Sequence, residues 1–162
     1  MTNKKQIHIE YSEFSSIEEL SPEDKNLLNI ARKNLSNAYA PYSEFKVSAA
    51  LRLENEEIIL GTNQENAAYP SGLCAERVAV FYASANFPKV AFTALAITSQ
   101  NIADTLKNPV FPCGSCRQVI LEYEILQKKP IRFILSGTEG SVVIIDGVKN
   151  LLPFSFDGTS LK

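Results

Sequence analysis

One histidine, His8, and three cysteines make up the whole supply of imidazole and thiol ligands in this 162-residue chain. Three is an odd number, so the cysteines cannot close a complete disulfide framework. In a reducing compartment they are expected to be free thiols or metal ligands. A surplus of positive charge is also missing: 16 Lys and Arg stand against 18 Asp and Glu, leaving a net charge of −2. A nucleic-acid binder gathers Lys and Arg on one face, so this balance argues against such a partner. No stretch approaches the roughly 20 apolar residues needed to span a bilayer. The opening "MTNKKQIHIEYSEF" lacks the apolar core of a signal peptide. The expectation is a cytoplasmic protein with neither membrane nor nucleic-acid partners, large enough for one ordinary domain with its own core.

Neither repeats nor low-complexity tracts interrupt the chain. Residues 1–20 read as an N-terminal extension, in which Ile7, Ile9 and Tyr11 alternate with polar residues as in a short strand or arm. The domain itself is expected over residues 21–162. It opens with "SPEDKNLLNIARKNLSNAYAPYS", where Ser21 is a helix cap, Pro22 suits the first helical position, and Glu23 and Asp24 favour the positive end. Leu27, Leu28, Ala31, Leu35 and Ala38 recur at helical spacing, and "APYS" ends the helix. "FKVSAALRL", "EIILGTN", "VAFTALAIT", "IRFIL" and "SVVII" read as five strands. Helices are expected from about Cys74 to Ala85 and over about 114–127, and "VKNLLPFSF" reads as a short helix with an aromatic tail. The fold class expected is α/β, a three-layer α/β/α sandwich around a mixed five-stranded sheet.

"FPCGSC" holds Cys113 and Cys116, and Cys74 lies upstream in "SGLCAERVAVF"; both groups open predicted helices. Three chemistries use such cysteines. A redox dithiol would use Cys113 and Cys116, but the pair falls late in the chain, follows Pro112 rather than an aromatic, and leaves Cys74 unexplained. A closed structural zinc needs four ligands, so His8 would have to swing in from the arm. Three thiolates with an open fourth corner form the catalytic arrangement, in which the metal makes a water nucleophilic at neutral pH. That arrangement needs a proton acceptor that is not itself a ligand, and Glu76 lies on the first turn of the helix that begins at Cys74. Three thiolates around Zn²⁺ also leave one negative charge to be offset. The helix N-termini supply partial positive charge. Arg77 and Arg117 are the candidate donors to the sulfurs.

"CAER" followed by "PCGSCRQV" resembles the zinc-dependent cytidine deaminases, specifically the short homotetrameric type with three cysteine ligands. The resemblance runs from about Ser21 to Phe156. It implies Zn²⁺ on Cys74, Cys113 and Cys116, with Glu76 as proton carrier. It further implies that Phe45, in "APYSEFKVSAAL", lines the nucleoside pocket. Asn63 and Glu65, in "NQENAAYP", would bind the sugar 3′-hydroxyl. The N–H of Ala75 would meet the base carbonyl, and the carbonyl of Phe111 the amine under attack. Phe156, in "LLPFSF", would stack on the base in a neighbouring subunit's site, and Tyr69 would help join subunits. Judged by pattern alone, Phe45 and Phe156 are equally packing aromatics, and Asn63 and Glu65 equally satisfy a loop backbone. Ser48 departs from the usual Gly, Phe111 is bulkier than usual, and the N-terminal arm is longer than the resemblance needs. The implied activity is hydrolytic deamination of cytidine and 2′-deoxycytidine, a step of pyrimidine salvage. The same chemistry on an aminonucleoside such as blasticidin S, and a zinc-stabilised binding module without turnover, are the alternatives.

Overall fold

Ser21 caps the first helix as its position predicts: its hydroxyl accepts the Asp24 N–H at 3.2 Å. In this computed structural model, which describes residues 2–101 and 106–161, that helix is α1 (Pro22–Asn34), continued by a single tighter turn over Leu35–Asn37. Helices α2 (Ala75–Asn86) and α3 (Gly114–Gln127) begin at Cys74 and Cys113, whose backbones stand in the cap positions. No described helix is long and apolar enough to cross a membrane.

The sheet runs β1 (Ser12–Phe14), β6 (Val142–Asp146), β5 (Arg132–Gly137), β4 (Phe92–Asn101), β2 (Phe45–Leu53) and β3 (Ile58–Thr62). The β4–β5 pair is parallel and the other described pairs are antiparallel. Helix α3 supplies the crossover that a parallel pair requires.

The sheet therefore has six strands, not the five expected, and the extra one comes from the stretch read as an arm. Without it, the outer edge of β6 would present unpaired N–H and C=O groups, and Ser12–Phe14 pairs with them. The strand does not extend back over Ile7 and Ile9, although their alternation suggests it. With Ser12 opposite Ile144, Glu10 would fall opposite Asp146, where β6 ends. Residues 7–9 thus have no strand to pair with, and Ile7, Ile9 and Tyr11 are exposed.

Both faces of the sheet are covered, so the central strands read as continuous apolar runs. Leu51, Leu53, Leu95, Ile97, Phe133, Leu135, Val143 and Ile145 pack with Ala75, Ala79, Val80, Ala83, Ile120 and Leu121 of α2 and α3. The alternate residues Ala50, Ala94, Ala96, Ile134, Val142 and Ile144 pack with Leu27, Leu28 and Ala31 of α1. These are the three layers of the expected α/β/α sandwich. Ser48 shares the α1 face with Ala50, where Asn34 donates to its hydroxyl at 3.2 Å. The bulk that the sequence flags beside the pocket is absorbed on the far side of the sheet from the cysteines.

One close approach fixes the start of α2. A Cβ on Gly61 of β3 would stand 2.3 Å from the Ala75 carbonyl oxygen and 2.6 Å from the Ala79 nitrogen. Both are backbone atoms, so nothing can swing aside. Gly61→Ala is expected to destabilise the protein by about 3 kcal/mol through overpacking. Gly114→Ala, where an added Cβ meets nothing within 4 Å, is expected to stay within about 0.5 kcal/mol of wild type. Urea midpoints of the two variants check both numbers, and equal midpoints would show that the approach is not tight.

Candidate active site: a thiol triad beside a buried carboxylate

Because Cys74 and Cys113 cap α2 and α3, and Cys116 lies in the first turn of α3, the two helix starts carry all three sulfurs to one point. The three Sγ atoms lie within 4.8 Å of one another. Cys74 to Cys113 is 3.9 Å and Cys113 to Cys116 is 3.5 Å. A tetrahedral zinc with Zn–S bonds of about 2.3 Å holds its sulfurs about 3.8 Å apart. These two separations bracket that figure, so the donor set fits such an ion. Cys116 is buried, Cys74 half-buried and Cys113 exposed, so the triad opens to one side. His8 is exposed in the arm and is not part of this group. Among the described residues the cluster supplies three protein ligands and no fourth.

The charge of the sulfurs is met unequally. Arg77 donates through Nη2 to Cys74 Sγ at 3.7 Å, as the sequence expects. Arg117 does not go to a sulfur. Its Nε donates to the Pro112 carbonyl at 2.7 Å and its Nη1 to the Leu151 carbonyl at 2.9 Å. It clamps the ligand-bearing loop to the segment after β6 instead. A hydrogen bond from Cys116, opposed by burial and helped by Arg77 and Cys113, holds the Cys74 thiol down at about 5. The interaction with Cys74 first, and burial second, push the Cys116 thiol in the opposite direction.

Glu76 is 3% exposed, and its Oε2 has no hydrogen-bond partner among the described residues. Burial raises its carboxyl above the usual range; its own backbone N–H opposes this, and the charge on Cys74 adds to it. A buried carboxyl oxygen without a protein partner calls for one from outside the protein, and Glu76 borders a cleft that could hold it.

That cleft has a volume of about 670 Å³ and is bordered by the triad's Cys74 and Cys113, by Glu76 and Arg77, and by Phe45, Asn63, Glu65 and Phe111. Its size suits a small organic ligand. Ala75 begins α2 between the cleft residues Cys74 and Glu76 without itself bordering the cleft, and a first helical residue has an N–H without an intrahelical acceptor. The polar walls are already tied to backbone. Asn63 accepts the Val47 N–H through Oδ1 and donates through Nδ2 to the Phe45 carbonyl, both at 2.8 Å. Glu65 Oε2 accepts from the Tyr42 N–H at 2.9 Å and the Ser43 N–H at 3.3 Å, while Oε1 accepts from the Ser43 hydroxyl. These bonds, the Ser43 hydroxyl first, hold the Glu65 carboxyl below the usual range.

Phe156 lies elsewhere, and Tyr69 borders the cleft. Phe156 does not line the cleft of its own chain; it is 60% exposed, and its carbonyl is held by Gln118 Nε2 at 2.8 Å. Tyr69 stands at the mouth, 77% exposed, edge-on to Tyr42 with ring centroids 6.2 Å apart. Tyr42 and Ser43 border the cleft as well, yet the sequence shows them only as the "APYS" that stops a helix.

Comparison with known proteins converges on one group. A family model described as the cytidine and deoxycytidylate deaminase zinc-binding region matches residues 21–129. A cytidine deaminase of Sporosarcina psychrophila is 46% identical over 99 residues, 61% of this chain and 68% of that one. A cytidine deaminase of Halalkalibacterium halodurans is 39% identical over 136 residues, 84% of this chain and 96% of that one. The crystal structure of a cytidine deaminase from Burkholderia pseudomallei superposes with a TM-score of 0.70 at 34% identity, covering 85% of this chain and 100% of that one.

The triad's fit to a tetrahedral ion leads to a direct measurement. Protein purified in zinc is expected to carry about one ion per chain, and Cys116→Ser to carry less than about a tenth of that. Plasma mass spectrometry gives the stoichiometry, and far-ultraviolet circular dichroism reports whether the fold persists. Undiminished zinc in a folded Cys116→Ser would move the metal away from these sulfurs.

Proposed function

The chain belongs to the cytidine deaminase family of enzymes, and we propose that it hydrolyses cytidine and 2′-deoxycytidine to uridine and 2′-deoxyuridine with release of ammonia, in pyrimidine salvage. The observation that carries this reading is the buried, unpartnered Oε2 of Glu76 beside three clustered thiols in a ligand-sized cleft. We assign Zn²⁺ to Cys74, Cys113 and Cys116. Bound there, it supplies Lewis acidity and an open corner at which water becomes acidic near neutral pH.

The remaining work falls to side chains and backbone. Glu76 takes a proton from the attacking water as its oxygen bonds to C4 of the base, and passes that proton to ring N3. The second water proton leaves with the amine as the C4–N bond breaks, giving ammonia and a new C4 carbonyl. Throughout, the Ala75 N–H holds the base carbonyl, the Phe111 carbonyl accepts from the departing amine, and Phe45 forms the apolar wall. Arg77 offsets thiolate charge at Cys74.

Counting valences supports the sugar assignment. Asn63 has one N–H and one Oδ1 acceptor site left, and Glu65 Oε1 one acceptor site left, after the backbone and Ser43 bonds are made. One donor and one acceptor together satisfy a single hydroxyl, which we take to be the sugar 3′-hydroxyl.

In this reading residues 21–162 form the catalytic domain, and residues 1–20 are an appended arm. Four copies assemble in the cytoplasm, with Tyr69 at a subunit contact and Phe156 closing a neighbour's site. The exposure of both rings supports that arrangement.

Glu76→Gln is expected to keep its zinc and lose about a thousandfold or more in kcat, followed by the fall in ultraviolet absorbance as cytidine is consumed. Full activity in that variant would refute the proton-carrier role. Free cytosine is expected to fall about a hundredfold below cytidine in kcat/KM, because it lacks the hydroxyl that would bond to Asn63 and Glu65. Equal turnover would sink the sugar assignment, and faster turnover of blasticidin S than of cytidine would change the substrate.

A further inference from the structure

We infer that Ser43 is a positioning residue for sugar recognition, aiming the Glu65 carboxylate and coupling it to the Phe45 wall. This rests on the reading of Asn63 and Glu65 as the sugar contacts. The Ser43 hydroxyl has one proton, and it goes to Glu65 Oε1. Ser43 Oγ in turn accepts the Phe45 N–H at 3.1 Å. The Phe45 carbonyl accepts from Asn63 Nδ2, and Asn63 Oδ1 accepts the Val47 N–H, each at 2.8 Å. A continuous chain of hydrogen bonds thus runs from Glu65 through Ser43 and Phe45 to Asn63. Ser43 is the only side chain in it that touches both Glu65 and the segment bearing Phe45.

The turn that carries Ser43 is built rather than relaxed. Glu44, between Ser43 and Phe45, has φ 56°, a left-handed conformation unfavourable for a residue with a Cβ. Its N–H is held by the Ala40 carbonyl at 3.1 Å, and the Tyr42 and Ser43 N–H groups are held by Glu65 Oε2. The backbone bonds fix Oε2 alone. The Ser43 hydroxyl fixes Oε1, the oxygen with the acceptor site left for the sugar, about a terminal torsion that is otherwise broad. Removing the hydroxyl leaves Glu65 in place but lets that oxygen turn to solvent.

The test pairs a protein change with a substrate change. kcat/KM is measured for wild type, Ser43→Ala and Ser43→Thr on cytidine and on 3′-deoxycytidine, which lacks the hydroxyl in question. Ser43→Ala is expected to lose about tenfold on cytidine and little on 3′-deoxycytidine, and Ser43→Thr to recover most of the loss. Equal losses on both substrates would show a general structural role, and no loss on either would show that Ser43 is idle; both overturn the inference while the sugar assignment stands. A wild type that treats the two substrates alike would overturn the sugar assignment, and this inference with it.

Discussion

Everything at the site depends on two helices starting at the same place. The start of α2 is set by β3 passing beneath it with no Cβ at Gly61, and the start of α3 by Arg117 tying the Pro112 carbonyl to that of Leu151. Neither constraint touches the reacting groups. Each sets the position of a cap residue, and the cap residues are cysteines. The sulfurs therefore inherit the rigidity of helix ends packed on a sheet, and first-turn N–H groups lie close to accumulated negative charge.

The same economy governs the cleft walls. Asn63 and Glu65 spend most of their combined hydrogen-bonding capacity on residues 42–47, so this wall of the cleft is ordered before any ligand arrives. The reading that such residues merely satisfy a loop and the reading that they recognise a ligand are not rivals here. An amide and a carboxylate have more valences than the loop uses, and the surplus faces the cleft. Among the described residues that border the cleft, Glu76 keeps a buried oxygen without a protein partner, which suits the proton carrier proposed above.

Local patterns in the sequence located most of this. The helix starts at Ser21, Cys74 and Cys113 follow from capping chemistry and from turn residues, and the strands from apolar runs covered on both faces. Arg77 lies three residues beyond Cys74, one turn along the same helix face, and its bond to that sulfur follows from spacing. Arg117 lies four residues beyond Cys113, a spacing equally suited to a sulfur contact, yet a carbonyl 34 residues later in the chain takes it. Nothing local reveals that carbonyl. The alternation at Ile7, Ile9 and Tyr11 misleads for a related reason: a strand exists only where its partner does, and β6 ends too soon. Ser43 does not stand out in the sequence, because a serine after a proline-containing turn has an ordinary local explanation.

The strand at Ser12–Phe14 has a bearing on how copies of this protein meet. By occupying the outer flank of β6, the chain makes a strand of 3 residues the rim of its sheet in place of one of 5 residues. So short a rim offers a neighbouring molecule little template for β-pairing, and the N-terminal segment thereby guards against fibre-like growth at that end.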